Sequence, residues 1–236
     1  MGSDSNLSGL PLVRKTSRTR TIAATGLFAA LAILLTAVSQ FLGLNFPVVP
    51  YLQFDFGEVA ILLAFFAFGP VPAVASAFVE FVTLMGLGQN VPIGPVFKLL
   101  AILSTIGGLW LGIAIMRRTS PNINTGVVLG TSLFFGLISR AAILTVANYY
   151  LILFVYQLAP TEGFLTSTFK LIGITMTSSN ALGLILIFTA IFNCLQLILV
   201  FAISYLIFRL PQLRNILRAN RSAWFEPIGS KTNSRK

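Results

Sequence analysis

The chain has 236 residues, of which 56% are hydrophobic and 9% charged, and a mean hydropathy of +0.90; these values exclude an ordinary soluble domain. Its net charge of +10 carries no nucleic-acid signature, because thirteen of the sixteen basic residues sit at the ends of apolar runs. With no histidine and one cysteine, Cys194, there are no parts for a histidine-based nucleophilic site, a disulfide framework or most metal centres, so neither catalytic nor metal-binding residues are expected.

Residues 1–20 are polar, Ser-rich and basic, and read as a disordered cytoplasmic N-terminus. The apolar stretch that follows is longer than a signal-peptide core and lacks a small-x-small cleavage site, so it is expected to stay as a helix. Six apolar runs are predicted as helices: 22–42, 56–68, 71–87, 96–116, 127–158 and 182–208. The second is too short to cross hydrocarbon unaided and must tilt or borrow from the acidic segment before it; the fifth is long enough to tilt. The predicted fold is therefore an all-α integral membrane protein, a bundle of six transmembrane helices over residues 21–208 with a basic tail at 209–236. Arg14, Lys15, Arg18 and Arg20 precede the first span, Arg117 and Arg118 follow the fourth, and Arg209, Arg214, Arg218, Arg221, Lys231, Arg235 and Lys236 follow the sixth. All then fall on one side, and the positive-inside rule makes both termini cytoplasmic. That location is the cell membrane, with anionic lipid as a contact of the basic segments and no nucleic-acid partner.

Within the first run, Gly26 and Ala30 form a small-xxx-small pair that lets another helix approach closely. Its two uses are internal packing and docking onto a separate membrane subunit. Turn formers break the chain at 43–50, 69–72 and 86–95, and 118–125 divides it into two sets of three spans. The long external connection at 160–181 carries Glu162, Phe164, Phe169 and Ile172 and has the length of a lid or binding loop.

Ionisable groups beside or inside a span are candidates for function, because hydrocarbon makes them costly. Asp55 and Glu58 open the second run between Phe54 and Phe56, where an interfacial cap is the alternative reading. Glu80, Lys98 and Arg140 lie inside or at the end of spans; neutralising one another is the bland use and a charge network of functional weight the sharper one. Asn148, followed by Tyr149 and Tyr150, carries donors and acceptors without charge, which suits a neutral heterocycle. Asn193 and Gln196 are three apart on one helical face, with Phe192 beside them as a stacking surface; interhelical hydrogen bonding is the alternative. Phe54, Asp55, Phe56, Asn148, Phe192, Asn193 and Gln196 are the expected ligand-binding residues, and Glu58 a helix-start cap.

Residues 51–70, YLQFDFGEVAILLAFFAFGP, resemble the signature of the riboflavin-binding S component of energy-coupling-factor (ECF) vitamin transporters, in which an Asp-Phe-x-Asp/Glu segment opens the second helix and Gly-Pro closes it. Pro92-Ile93-Gly94 before the fourth span, Arg140 to Tyr150 in the fifth and Phe192-Asn193-x-x-Gln196 in the sixth resemble the same family's further motifs. The resemblance runs from Thr21 to about Phe208. It implies a six-helix bundle with an external vitamin pocket, in which Asn148, Asn193 and Gln196 bond the flavin edge and Asp55 or its backbone holds the polar part. The chain is then expected to dock through its first-span face, Gly26 and Ala30, onto a membrane scaffold subunit driven by two ATP-binding subunits. Riboflavin would be the transported ligand and not a cofactor. Three departures stand out: Gln196 replaces the family's usual lysine, Lys98 an uncharged polar residue, and Glu80 a commonly basic one. They leave open another vitamin as ligand, or a rearranged charge set that keeps flavin binding.

No Gly-x-x-x-x-Gly-Lys-Ser/Thr loop is present, so ATP hydrolysis is expected in partners and the chain itself is not expected to be an enzyme. A self-sufficient ion-coupled carrier using Glu80, Lys98 and Arg140 is the alternative, though no internal repeat supports it. An intramembrane lipid-modifying enzyme is the reading from another class, disfavoured by the absence of histidine and of paired carboxylates inside the spans.

Overall fold

The computed structural model describes residues 18–49, 52–87, 92–119, 124–151 and 180–212. The expected N-terminal segment up to residue 17, nearly all of the 160–181 connection with Glu162, the end of the fifth run beyond Leu151, and the tail from residue 213 lie outside the described residues. Among the described residues there are six helices and no strand: α1 (Arg18–Leu42), α2 (Gly57–Phe68), α3 (Pro70–Leu87), α4 (Ile93–Thr119), α5 (Thr125–Tyr150) and α6 (Ala181–Phe208). Five are long and apolar enough to cross a membrane; α2, at 12 residues, is not. At 1.5 Å per residue α2 spans about 18 Å, against roughly 30 Å of hydrocarbon. The expectation of six spans thus narrows to five span-length helices and one short one.

Cross-helix contacts fix the directions of the helices. Ser76 Oγ donates to the Thr25 carbonyl and Thr36 Oγ1 lies 2.9 Å from Glu80 Oε1, so α1 and α3 run the same way. Gln196 Nε2 donates to the Asp55 carbonyl and Phe66 packs on Phe208, so α2 and α6 are parallel to each other. Arg140 meets Asn193 while Gly136 abuts Leu197, which makes α5 antiparallel to α6. Odd-numbered helices therefore rise where even-numbered ones descend. Arg18, Arg20, Arg118 and Arg209 share one end of the bundle, and the opening of α2 lies toward the other.

The short helix α2 is buried on every side: eleven of its twelve residues are inaccessible. This explains its unbroken apolar sequence, since a helix surrounded by protein needs no polar face. Phe65 and Phe66 form its inner packing, with Phe66 meeting Phe201, Tyr205 and Phe208 of α6. Gly69, at φ 96°, takes the left-handed turn that a side chain would oppose, and Pro70 opens α3 directly after it.

Helices α4 and α5 approach most closely where glycine permits it. A β-carbon on Gly108 would lie 2.5 Å from the Phe135 carbonyl oxygen, and one on Gly112 would lie 2.6 Å from the Ser132 Cα. Gly108-x-x-x-Gly112 and Ser132-x-x-x-Gly136 thus form a matched small-residue seam, with the Ser132 hydroxyl turned back to the Val128 carbonyl. The Gly26–Ala30 pair in α1 behaves differently. Both residues are exposed, and a β-carbon on Gly26 would meet nothing within 4 Å. Among the described residues that pair therefore serves no internal packing.

Candidate functional site

The connection between α1 and α2 folds back on itself through an antiparallel bridge between Asn45 and Gln53. The Phe46 N–H donates to the Leu52 carbonyl at 2.7 Å and the Phe54 N–H to the Leu44 carbonyl at 2.8 Å. This returns Phe46 and Phe54 onto Phe192 of α6, with ring centroids 5.5 and 5.0 Å from the Phe192 ring. Val49, Leu52, Leu184 and Phe188 complete this second apolar cluster, separate from the main core. Phe54 and Phe192 are thus brought together as the sequence motifs suggest. Phe56 is not with them; its ring packs against the main core and its N–H donates to Ser39 Oγ at 2.9 Å.

Asp55 faces the other way. Its carboxylate pairs with the Lys98 ammonium, which also reaches Glu80 Oε1 at 2.7 Å and Thr36 Oγ1. An ammonium has three donors, and here three acceptors from α1, α3 and the α1–α2 connection take them. Thr36 Oγ1 stands 2.9 Å from both Asp55 Oδ1 and Glu80 Oε1, so its one proton serves either carboxylate but not both. Asp55 Oδ1 also accepts from the Gly57 N–H at 2.7 Å, satisfying an otherwise orphaned donor at the start of α2. Gly57 has to be glycine for this to close, because a β-carbon there would lie 2.1 Å from Thr36 Oγ1 and 2.8 Å from Glu80 Oε1.

Glu58 corrects the expectation of a simple helix-start cap. Its two carboxylate oxygens take a forked pair of bonds from Arg140, at 2.6 and 2.9 Å, and the pair is buried. Arg140 also donates to Thr105 Oγ1 at 3.2 Å and to Asn193 Oδ1 at 3.3 Å. The three charges expected to share one network are consequently divided: Glu80 and Lys98 sit with Asp55, and Arg140 sits with Glu58. The physical reason is that Asp55 lies in the α1–α2 connection while Glu58 lies in the first turn of α2. Asp55 and Glu58 are three residues apart and approach different neighbours, so each carboxylate takes its own cation.

The amides are partly committed. Asn148 Nδ2 donates to the Leu144 carbonyl of its own helix, and Asn193 Nδ2 to the Thr189 carbonyl. Gln196 Nε2 donates to the Asp55 carbonyl at 2.7 Å, which ties α6 to the opening of α2. Gln53 Nε2 donates to the Ser39 carbonyl at 3.0 Å. Residues 53–58 are therefore fastened to α1, α4, α5 and α6 at once, and through Lys98 and Glu80 to α3. Sequence reading missed Thr36, Ser39, Thr105 and Phe46; the only available hint was that Thr36 and Ser39 share a face with Ala29 and Ala32 on α1. No group of three or more potential metal ligands is found among the described residues.

The arrangement places aromatic rings and neutral amides beside a largely buried set of three carboxylates and two cations near one end of a helical bundle. The fold matches the S component of a bacterial ECF transporter, with a TM-score of 0.61, 23% identity, and coverage of 86% of this chain and 99% of the other. At the level of sequence, the chain is 29% identical over 133 residues to the riboflavin transporter RibU of Staphylococcus aureus (strain TCH60). That match spans 55% of this chain and 64% of the relative, just under two thirds of the relative's length. No family model matches the chain. One relative is named for riboflavin transport and the other for an ECF S component, and together they support the resemblance seen at residues 51–70. The protein is accordingly a multi-pass membrane protein that shares its fold with that S component.

Proposed function

We propose that this chain is the substrate-capture subunit of an ECF-type vitamin importer and that its ligand is riboflavin. The observation that carries the reading is the placement of Phe54 against Phe192 beside the amide of Gln196, within a fold shared with an S component. A flavin is a flat, uncharged heterocycle with donors and acceptors on its edge. Aromatic faces recognise its plane and neutral amides its edge, without stranding a charge in hydrocarbon. The similarity to a riboflavin transporter favours this vitamin over others. Asn148 and Asn193 line the same outer half of the bundle and complete the amide set.

In this reading the basic ends of the helices face the cytoplasm and the α1–α2 connection faces outside, by the positive-inside rule. Riboflavin enters from outside by displacing the rings of Phe46 and Phe54. The exposed Gly26–Ala30 face of α1 gives a separate scaffold subunit its closest approach, and partner ATPases supply the energy. Binding is tested by titrating the detergent-purified protein with riboflavin and following quenching of flavin fluorescence. Saturable quenching is expected, and protein purified from rich medium should carry the flavin absorption bands. Absence of both would overturn the ligand assignment.

One observation favours a second reading. The set of Asp55, Glu58 and Glu80 against Lys98 and Arg140, buried except at Asp55 and Lys98, has one more carboxylate than cations, and such clusters serve ion coupling in carriers. Proteoliposomes holding this chain alone decide it. Riboflavin uptake driven by a proton or sodium gradient would establish the carrier; no uptake without scaffold and ATPases is expected.

A further inference from the structure

Three buried side-chain oxygens lack a hydrogen-bond partner among the described residues: Glu80 Oε2, Thr189 Oγ1 and Gln196 Oε1. The first belongs to the charged cluster. The other two lie on α6, in residues that are 0% and 1% exposed. Thr189 is anomalous for a helical hydroxyl. Ser39, Thr83, Ser132 and Ser204 each turn back to the carbonyl four residues earlier, which satisfies a hydroxyl at no cost in contacts. Thr189 makes no such bond, although the same backbone acceptor is offered along the helix. A buried hydroxyl left unmade is costly unless something else meets it.

Thr189 and Gln196 are seven residues apart on α6. That is about 20° short of two full turns, so they occupy nearly one line on the helix, separated by about 10 Å along its axis. Phe192 and Asn193 flank this line midway. The contacts of Arg140 with Asn193 and of Gly136 with Leu197 fix the α5–α6 register, and this sets Thr189 level with Leu144, one turn from Asn148. The face is covered at Phe192 by Phe46 and Phe54.

We propose that Thr189 is a further ligand-binding residue, and that its hydroxyl and the Gln196 side-chain oxygen bond polar groups at opposite ends of a planar ligand about 10 Å long. Gln196 Oε1 is an acceptor only, so the ligand presents an N–H or O–H there; the Thr189 hydroxyl takes either polarity. A fused heteroaromatic ring system with a polar group at each end meets this description, lying along α6 beside Phe192. The proposal rests on the riboflavin reading above.

The test is riboflavin titration and thermal unfolding of the full-length protein in detergent, for wild type, Thr189→Val and Thr189→Ser. Valine keeps the shape and removes the hydroxyl; serine keeps the hydroxyl. Thr189→Val should bind riboflavin about tenfold more weakly, a loss of roughly 1.4 kcal/mol, while Thr189→Ser stays within about threefold of wild type. Without ligand, Thr189→Val should melt no lower than wild type, because it removes an unmet buried hydroxyl. Wild-type affinity in Thr189→Val, or a lowered melting temperature without ligand, would overturn the role of Thr189 and leave the riboflavin reading intact. Failure of the wild type itself to bind riboflavin would overturn both.

Discussion

Glu58 and Arg140 are 82 residues apart in sequence yet meet through two parallel hydrogen bonds of 2.6 and 2.9 Å in the interior of the bundle. The pair joins the first turn of α2 to the middle of α5, with Asn193 of α6 and Thr105 of α4 bonded to the same guanidinium. Four helices are thereby positioned around one residue. Truncating either partner strands a buried charge, at a cost of about 3–5 kcal/mol. Glu58→Leu and Arg140→Leu should each lower the melting temperature of the purified protein sharply. The double variant should recover much of the loss, because a paired charge can be replaced by apolar packing at little net cost. A double variant no better than the worse single one would show that the pair is not the coupling element.

The Asp55–Lys98–Glu80 cluster predicts an asymmetry between its members. Lys98→Met leaves two carboxylates facing each other with no cation, whereas Glu80→Gln leaves one carboxylate with one ammonium. Lys98→Met should therefore be the more damaging by several kcal/mol. Glu80→Gln should change stability by about 1 kcal/mol or less, since the amide still accepts from Lys98. Detergent unfolding curves of the two variants give the order directly, and the reverse order would contradict the assigned pairing.

Adjacent glycines in α4 should respond with opposite sign. A β-carbon on Gly107 meets nothing within 4 Å, whereas one on Gly108 strikes the α5 backbone. Gly107→Ala should be neutral or stabilising by up to about 1 kcal/mol through helix propensity. Gly108→Ala should destabilise by about 1–3 kcal/mol by forcing the two helices apart. Equal melting temperatures for the two variants would mean that the α4–α5 seam is looser than described.

Leucine at Gly26 and Ala30 separates docking from binding. Both positions face outward and away from the aromatic cluster, so the double substitution should leave riboflavin titration unchanged. Uptake by cells that hold the whole importer should fall to background. Retained uptake would remove this face of α1 from the docking surface; lost binding would mean that the substitutions disturb the bundle.

How much of this was legible beforehand varies with the physics involved. Helix positions follow from apolar run length, and the expected limits 22–42, 71–87 and 182–208 fall within a few residues of α1, α3 and α6. Phe54, Phe192, Asn193 and Gln196 could be singled out because polar and aromatic residues are conspicuous against aliphatic sequence. What each of them touches could not. The partner of Arg140 depends on how far α2 is rotated relative to α4 and α5, and periodicity along one helix carries no information about the azimuth of another. The same limit explains the division of the charges into two sets, and why Thr36, an unremarkable threonine in sequence, stands between two carboxylates. The Gly108–Gly112 seam was written in the sequence as a small-xxx-small pair, but Gly26–Ala30 carries the same pattern and has the opposite exposure.

The brevity of α2 has a consequence for biogenesis. A 12-residue segment with Asp55 just before it and Glu58 in its first turn is too short and too acidic to partition from the translocation machinery into lipid by itself. The groups that meet it arrive later: the cations Lys98 with α4 and Arg140 with α5, and the Gln196 amide, which bonds the Asp55 carbonyl, with α6. Membrane residence of α2 is thus a property of the completed bundle, and a nascent chain ending after α3 carries a segment that neither water nor lipid suits.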